Sequence, residues 1–310
     1  MTFRPKSRNP RGAALMAVLW LIAILAMACM ATLRVISFDM QLATAKVHGS
    51  RARQVAEMGI ALGTHNLVKR TDPILHHMNE ENGEGFDVKL TSEGSRFNID
   101  YILQNDDKEL LRSIFISWGL DLDTAQEVAD SLKDWFDADD SEELKGAEKK
   151  YYEKEGRINQ PFNRPFYDVN EMSLVRGMDK VEAVRPDWRT WFTILSGGGL
   201  DVNEAPAELI AVAADVPVEE ADAIPEKVRG DDGIRDTTDD VPFQDKATAL
   251  ELIGIGSDNA KIVGRFNASD QTMRIESIGS AEGAKRKITV IVANRSGRPS
   301  LLERTEEIIP

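Results

Sequence analysis

The apolar positions of this 310-residue chain change period several times along its length. Ala13 to Leu33 is a run of 21 residues without a charge. At 1.5 Å per residue a helix of that length spans roughly 30 Å, one hydrocarbon core. The helical period then continues, because Phe38, Leu42, Ala45, Gly49, Ala52, Ala56, Gly59 and Gly63 recur at steps of three and four. No proline interrupts them before Pro73, and Lys46, Arg51, Arg53 and Glu57 take the remaining surface. This predicts one helix from about Ala13 to Lys69, on the order of 85 Å long. Its stripe is rich in small residues, which suits close packing on another element rather than a leucine-zipper seam.

Asp72-Pro73 ends the helix, and the stretch from Asn79 to Gly85 reads as a loop. Phe86–Leu90 and Arg96–Leu103 alternate around Glu93-Gly94-Ser95, which predicts a hairpin. From Asp106 to about Phe266 the pattern is helical in short pieces, punctuated by glycine and proline. Strand character returns in Thr272–Ile278 and Arg286–Ala293 around a turn at Gly279–Gly283, and a loose tail is expected from Asn294. The economical architecture is α+β: a long N-terminal transmembrane helix packed on an antiparallel sheet that is split by a large all-α insertion. The segments are then 13–33 for the membrane, 34–105 for helix and first hairpin, 106–266 for the insertion, and 267–310 for returning strands and tail.

Charge orients this plan. The chain carries 38 Lys and Arg against 52 Asp and Glu, a formal −14. Arg4, Lys6, Arg8 and Arg11 stand before the apolar run without an acid, and setting those four aside leaves 34 against 52, or −18. The basic flank should stay cytoplasmic, which places everything after Arg34 outside. An acidic body repels nucleic acid and suits divalent cations or basic partners. The sole cysteine, Cys29, lies in the apolar run, so no disulfide can brace the body. A cleaved signal at Ala26-Met27-Ala28 and a lipoprotein anchored through Cys29 both compete with an uncleaved anchor, although alanine stands at position 26, where a lipobox has leucine.

No nucleophile–base arrangement indicates an enzyme. His48, His65, His76 and His77 have no metal-ligand spacing, Gly197–Gly199 lacks the lysine of a P-loop, and Trp188, Trp191 and Phe192 read as core. Two acidic loops offer chemistry. In Asp137–Glu148, oxygens fall at Asp137, Asp139, Ser141 and Glu148, much of the ligand ladder of an EF-hand, with Asp140 a further candidate ligand, although Glu142 stands where the turn glycine belongs and the only glycine is Gly146. The crowded carboxylates repel one another unless something neutralises them. The second loop, Asp231–Asp240, offers Asp232, Asp236, Asp239 and Asp240 with less regular spacing and Arg235 in its middle. Leu252–Val263 resembles a helix-hairpin-helix turn, and Asp201–Pro206 looks like the start of a degenerate partner unit. Asp258 stands where a phosphate binder needs Lys or Arg, so the turn reads as a reused fold element.

Together these blocks resemble the type II secretion system protein K family, the large minor pseudopilins. Arg11-Gly12-Ala13-Ala14-Leu15 before the apolar run is similar to the family's prepilin-peptidase site. Asp134-Trp135-Phe136-Asp137-Ala138-Asp139-Asp140, then Gly146-Ala147-Glu148 and Tyr151, is similar to an internal signature, and Glu171–Gly177 and Asp201–Pro206 match two further blocks. The resemblance implies a cytoplasmic leader at 1–12, cleavage after Gly12 by a prepilin peptidase and N-methylation of Ala13. It implies a pilin-like fold in the bacterial inner membrane with a periplasmic body. The implied partners are the I- and J-type minor pseudopilins at the pseudopilus tip, the major pseudopilin and the inner-membrane assembly platform. It further implies Ca²⁺ in the helical domain. Ala17, the fifth residue of the processed chain, stands where most pilins carry glutamate, which suits a leading subunit. Glu204 occupies a place where the family often has Asn or Thr. A type IV pilus minor pilin is the alternative within the class; a calcium-binding lipoprotein or receptor, or a competence-type DNA receptor, lies outside it.

Overall fold

The computed structural model of the chain describes residues 10–309. The leader calls on residues 1–9 lie outside that range. Helix α1 runs from Pro10 to Thr64, without a break. Among the described residues it is the one helix long and apolar enough to cross a membrane, with a mean hydropathy of 2.6 over its most apolar window. From Ala14 to Val47 every residue is exposed, and the first buried position is Gly49. Nothing else among the described residues covers the apolar half of α1.

The lower half lies on a five-stranded antiparallel sheet of order β1-β2-β7-β8-β9. Its strands are β1 (His76–Asn79), β2 (Glu84–Ser92), β7 (Thr272–Ala281), β8 (Ala284–Ala293) and β9 (Ser300–Ile309). The small-residue stripe has the role that its composition implied. A side chain at Gly59 would strike Ser277 and Val88, one at Gly63 would strike Ile275, and Gly279 of β7 lies against the Ala52 carbonyl and Ala56. The helix backbone therefore sinks onto the sheet, burying Ala52, Ala56 and Ile60 with Phe86, Val88, Leu90, Ile275, Ile288 and Val290.

The chain leaves this sheet at Ser92 and returns beside it at Thr272, with Ser92 paired to Met273. The residues between form a helical body. In chain order it has β3 (Phe97–Asn98), α2 (Ile99–Gln104), α3 (Lys108–Ser117), α4 (Leu122–Phe136), α5 (Lys149–Lys154) and α6 (Met178–Val184). There follow β4 (Phe192–Thr193), β5 (Leu200–Asp201), α7 (Ala207–Ala214), α8 (Val218–Ala221), α9 (Ala223–Val228), α10 (Lys246–Glu251), α11 (Ala260–Gly264) and β6 (Phe266–Asn267). Its core is separate from that of the sheet and includes Phe115, Leu132, Trp135, Trp188, Phe192 and Phe266.

Four expectations differ from the structure. The insertion is not all-α, because two short parallel pairs, β3 with β4 and β5 with β6, lie within it. Arg96–Leu103 is not the return strand of a hairpin, because only Phe97 and Asn98 are extended, and β2 pairs instead with β1 and β7. Asn98 caps α2 through Tyr101 N at 3.1 Å, and Ile99, Ile102 and Leu103 bury one helical face. The segment from Asn294 is not loose. It turns at Asn294 (φ 54°) and forms β9 along β8. Finally α1 stops at Thr64 rather than Lys69. Arg295, just past β8, donates Nε to the Gly63 carbonyl at 2.6 Å and Nη2 to those of His65 at 2.8 Å and Val68 at 2.6 Å. The helix ladder ends here, and the guanidinium supplies donors to carbonyls at and beyond its end, that of His65 also accepting from Val68 N at 3.2 Å.

Candidate metal centre

Helix α4 starts at a tight cap, Asp121 Oδ1 accepting from Thr124 N at 2.9 Å. Its inward face then brings Asp130 and Asp134, one turn apart, under the first acidic loop, both fully buried. Asp130 is balanced. It accepts from Gln126 Nε2 at 2.7 Å and Lys145 N at 3.2 Å, and Lys108 Nζ lies 3.4 Å away. Asp134 has amide partners only, with Glu143 N donating to Oδ1 at 3.0 Å. The late glycine of the loop is explained here, because a side chain at Gly146 would overlap the Asp134 carboxylate.

Asp137 ends α4, and Glu148 caps α5 with its Oε2 accepting weakly from Lys149 N at 3.3 Å. Asp137 Oδ1, Glu148 Oε1 and Asn163 Oδ1 are buried oxygen atoms without a donor among the described residues. Asn163 is tied to the loop, since its Nδ2 donates to the Asp139 carbonyl at 2.8 Å and lies 3.3 Å from Asp140 Oδ1. No Lys, Arg or His pairs with Asp134, Asp137, Asp139, Asp140 or Glu148 among the described residues. Burial pushes the Asp134 carboxyl up to about 7, with Asp137 and Glu143 adding repulsion against the pull of its amide partners. Burial likewise raises Glu148 to about 7, reinforced by Asp134, Asp137 and Asp140, and it raises Asp137 beside Asp139.

Buried oxygens, unneutralised charge and hard ligands fit a calcium-type cation. The set is not wrapped as an EF-hand, however. Asp139 and Ser141 are exposed, and Asp139 Oδ1 is turned to Ser141 N at 2.8 Å. Among the described residues no three acidic or imidazole side chains already converge to ion-binding distance, so binding would draw them together. Sequence spacing did not single out Asp134 as a ligand, or Asn163 at all. The signal for Asp134 was its i+4 register on Asp130; Asn163 gave none.

The second loop is arranged otherwise. Asp239 Oδ2 accepts from Asp231 N at 2.8 Å and Asp232 N at 3.0 Å, and Thr237 Oγ1 donates to Oδ1 at 2.6 Å. The Thr237 hydroxyl, then the Asp232 amide, hold the Asp239 carboxyl down at about 2. Asp232 Oδ1 accepts from Ile234 N at 2.7 Å, and Asp240 Oδ2 from Asp236 N at 2.9 Å. Asp232, Asp239 and Asp240 thus each have a donor, although Asp240 Oδ1 is a buried oxygen without one among the described residues.

The sequence blocks converge around α4. Trp135 Nε1 donates to Glu171 Oε1 at 2.9 Å, while Arg176 donates to the Gly146 carbonyl at 2.9 Å and lies over the Tyr151 ring at 4.8 Å. Helices α10 and α11 flank the Gly254–Gly256 turn, but Arg265 is locked to Asp107 at 2.6 Å and Lys261 to Glu109, which leaves no basic side chain of that turn for a phosphate.

Fold and site define a chain with one apolar helix long enough for a bilayer, an antiparallel sheet, and a helical body holding an unneutralised carboxylate cluster. Residues 95–186 match the family described as Type II secretion system (T2SS), protein K. The matched stretch contains the Asp134–Tyr151 and Glu171–Gly177 blocks, and this match supports a type II secretion system protein K. The fold is also that of a chain in the crystal structure of the GspK-GspI-GspJ complex from the enterotoxigenic Escherichia coli type 2 secretion system, at a TM-score of 0.57 and 15% identity. That likeness covers 88% of this chain and 99% of the other. No curated protein matches the sequence closely enough to count as a relative.

Proposed function

We propose that the chain is a minor pseudopilin that leads the pseudopilus of a type II secretion system, together with I- and J-type subunits, and helps start assembly of the filament that exports folded proteins. The observation that carries this is the family block at 95–186, set in a helical body that is mounted beside the sheet and the long helix. The exposed apolar half of α1 suits storage in the inner membrane and packing against the major pseudopilin. A body of this size would crowd every step of a closely packed shaft, yet has room at an end. Ala17 agrees, since a leading subunit has no neighbour ahead whose ammonium a glutamate would meet, and an unpaired carboxylate at the bilayer centre costs about 3 kcal/mol. The likeness to a chain of a K–I–J complex supports I- and J-type subunits as partners. A tag after Pro310 is expected to mark one end of overproduced filaments at low copy; labelling along the whole shaft would refute the leading position.

In the body, we propose structural Ca²⁺ held by Asp137, Asp139, Asp140 and Glu148, with Asp134 facing the same charge. The ion would supply neutralisation and would fix the loop after α4, with no step of catalysis. The second loop ranks behind it because most of its carboxylates have donors and Arg70 and Arg235 lie beside Asp236 and Asp240.

A further inference from the structure

Glu204 sits at the corner between β5 and α7, and three basic or acidic segments meet there. Arg70, in the connector after α1, is hydrogen-bonded through Nη1 to Glu204 Oε1. Its Nε lies 2.9 Å from Asp236 Oδ1, an ion-pair distance without hydrogen-bond alignment. Arg235, from the middle of the second acidic loop, reaches the same Glu204 Oε1 at 3.0 Å and donates to the Asn203 carbonyl at 2.6 Å. Its other nitrogen lies 3.6 Å from Asp240 Oδ2. The Glu204 side chain is 11% exposed and those of the two arginines 23% and 29%, so the group is largely shielded from water. On its other side the same connector is gripped by Arg295.

We propose that Glu204 is the keystone of a strut that fixes the helical body to the end of the long helix and gives the second acidic loop its order through arginine instead of a cation. Arg235 neutralises the loop from within, and Arg70 does so from the pilus-forming part of the chain. Half-buried pairs of this kind, sharing one carboxylate, resist salt better than isolated surface pairs. Movement of α1 would thereby be passed to the helical body through one carboxylate, in addition to the covalent crossings at 92–93 and 271–272.

The test is hydrogen exchange on the full-length protein in detergent, with calcium and with chelator. In the unmodified protein, amides of 231–240 should exchange equally in both conditions. In Glu204→Gln and in Arg70→Ala they should exchange about tenfold faster, together with 65–72, while those of β7 and β8 stay unchanged and certify the fold. Arg70→Ala added to Glu204→Gln should bring little further change, because both remove one network. Exchange at 231–240 that slows with calcium in the unmodified protein, or that ignores both substitutions, overturns the strut. The separate calcium reading is judged by amides 137–148 in the same data, so the two fail independently.

Discussion

Single side chains terminate and join the large elements of this protein. Arg295 is the clearest case, closing a 55-residue helix by three charge-assisted bonds to the carbonyls of Gly63, His65 and Val68. Arg295→Ala should cost about 2 kcal/mol, visible as a lowered denaturant midpoint of the full-length protein in detergent, and Arg295→Lys should recover only part because one ammonium cannot reproduce the planar fork. Gly59 acts by having no side chain. Gly59→Val should strike Ser277 and Val88 and lower stability by about 1–3 kcal/mol, measured in the same way. At the other end of α1, a bulky residue in place of Gly12 should leave the unprocessed precursor, whereas intact-mass measurement of the unmodified protein should find a chain starting at Ala13.

At the scale of an element, the loop after α4 is one whose folded form is held against its own charge. Asp134 and Glu148 ionise near 7 in the metal-free fold, well above their ordinary values of 3.8 and 4.5. Between those values and about 7 the folded state keeps protons that the unfolded chain has released. Metal-free stability should therefore fall as pH rises through that window and stay low above it. Calcium displaces those protons, so its stabilisation should grow over the same interval and be largest near pH 8. At a hundredfold excess over Kd it amounts to about 2.7 kcal/mol. The check is thermal melting from pH 5 to 8, with calcium and with chelator. Glu148→Gln should flatten the pH dependence of the metal-free protein. Melting that is the same with and without calcium at pH 8 would remove the ion from this loop.

For the whole molecule, the topology separates two jobs. The sheet with α1 and the helical body have their own cores, and the chain crosses between them at adjacent positions, Ser92 and Thr272. Replacing residues 94–271 with a short turn should leave α1, β2, β7 and β8 folded, since Ser92 and Met273 already face each other across an antiparallel pair. Protease digestion of that variant in membranes should yield a resistant core that includes β8. It should show no calcium-dependent melting. If bulk limits the protein to the filament end, the shortened form should also enter the shaft, which the C-terminal tag would report.

Much of this was legible in the sequence because it rests on local periodicity. A 21-residue uncharged run, a small-residue stripe at helical spacing and strands bounded by glycine are written in consecutive residues. What the sequence hid was set by distant partners. Nothing in Arg96–Leu103 announced that its apolar spacing belonged to a helix rather than a strand, because β2 finds its neighbour in β7, about 180 residues on. Strand β9 escaped notice because an exposed edge has no buried face and so no alternation, while charges fall on both sides of it. The sequence separated the acidic loops only by spacing and by Arg235 in the second. The fold set one over the buried Asp134 without a counter-charge and brought Arg70 to the other, because charge compensation depends on which side chains arrive from elsewhere, and that is a property of three dimensions.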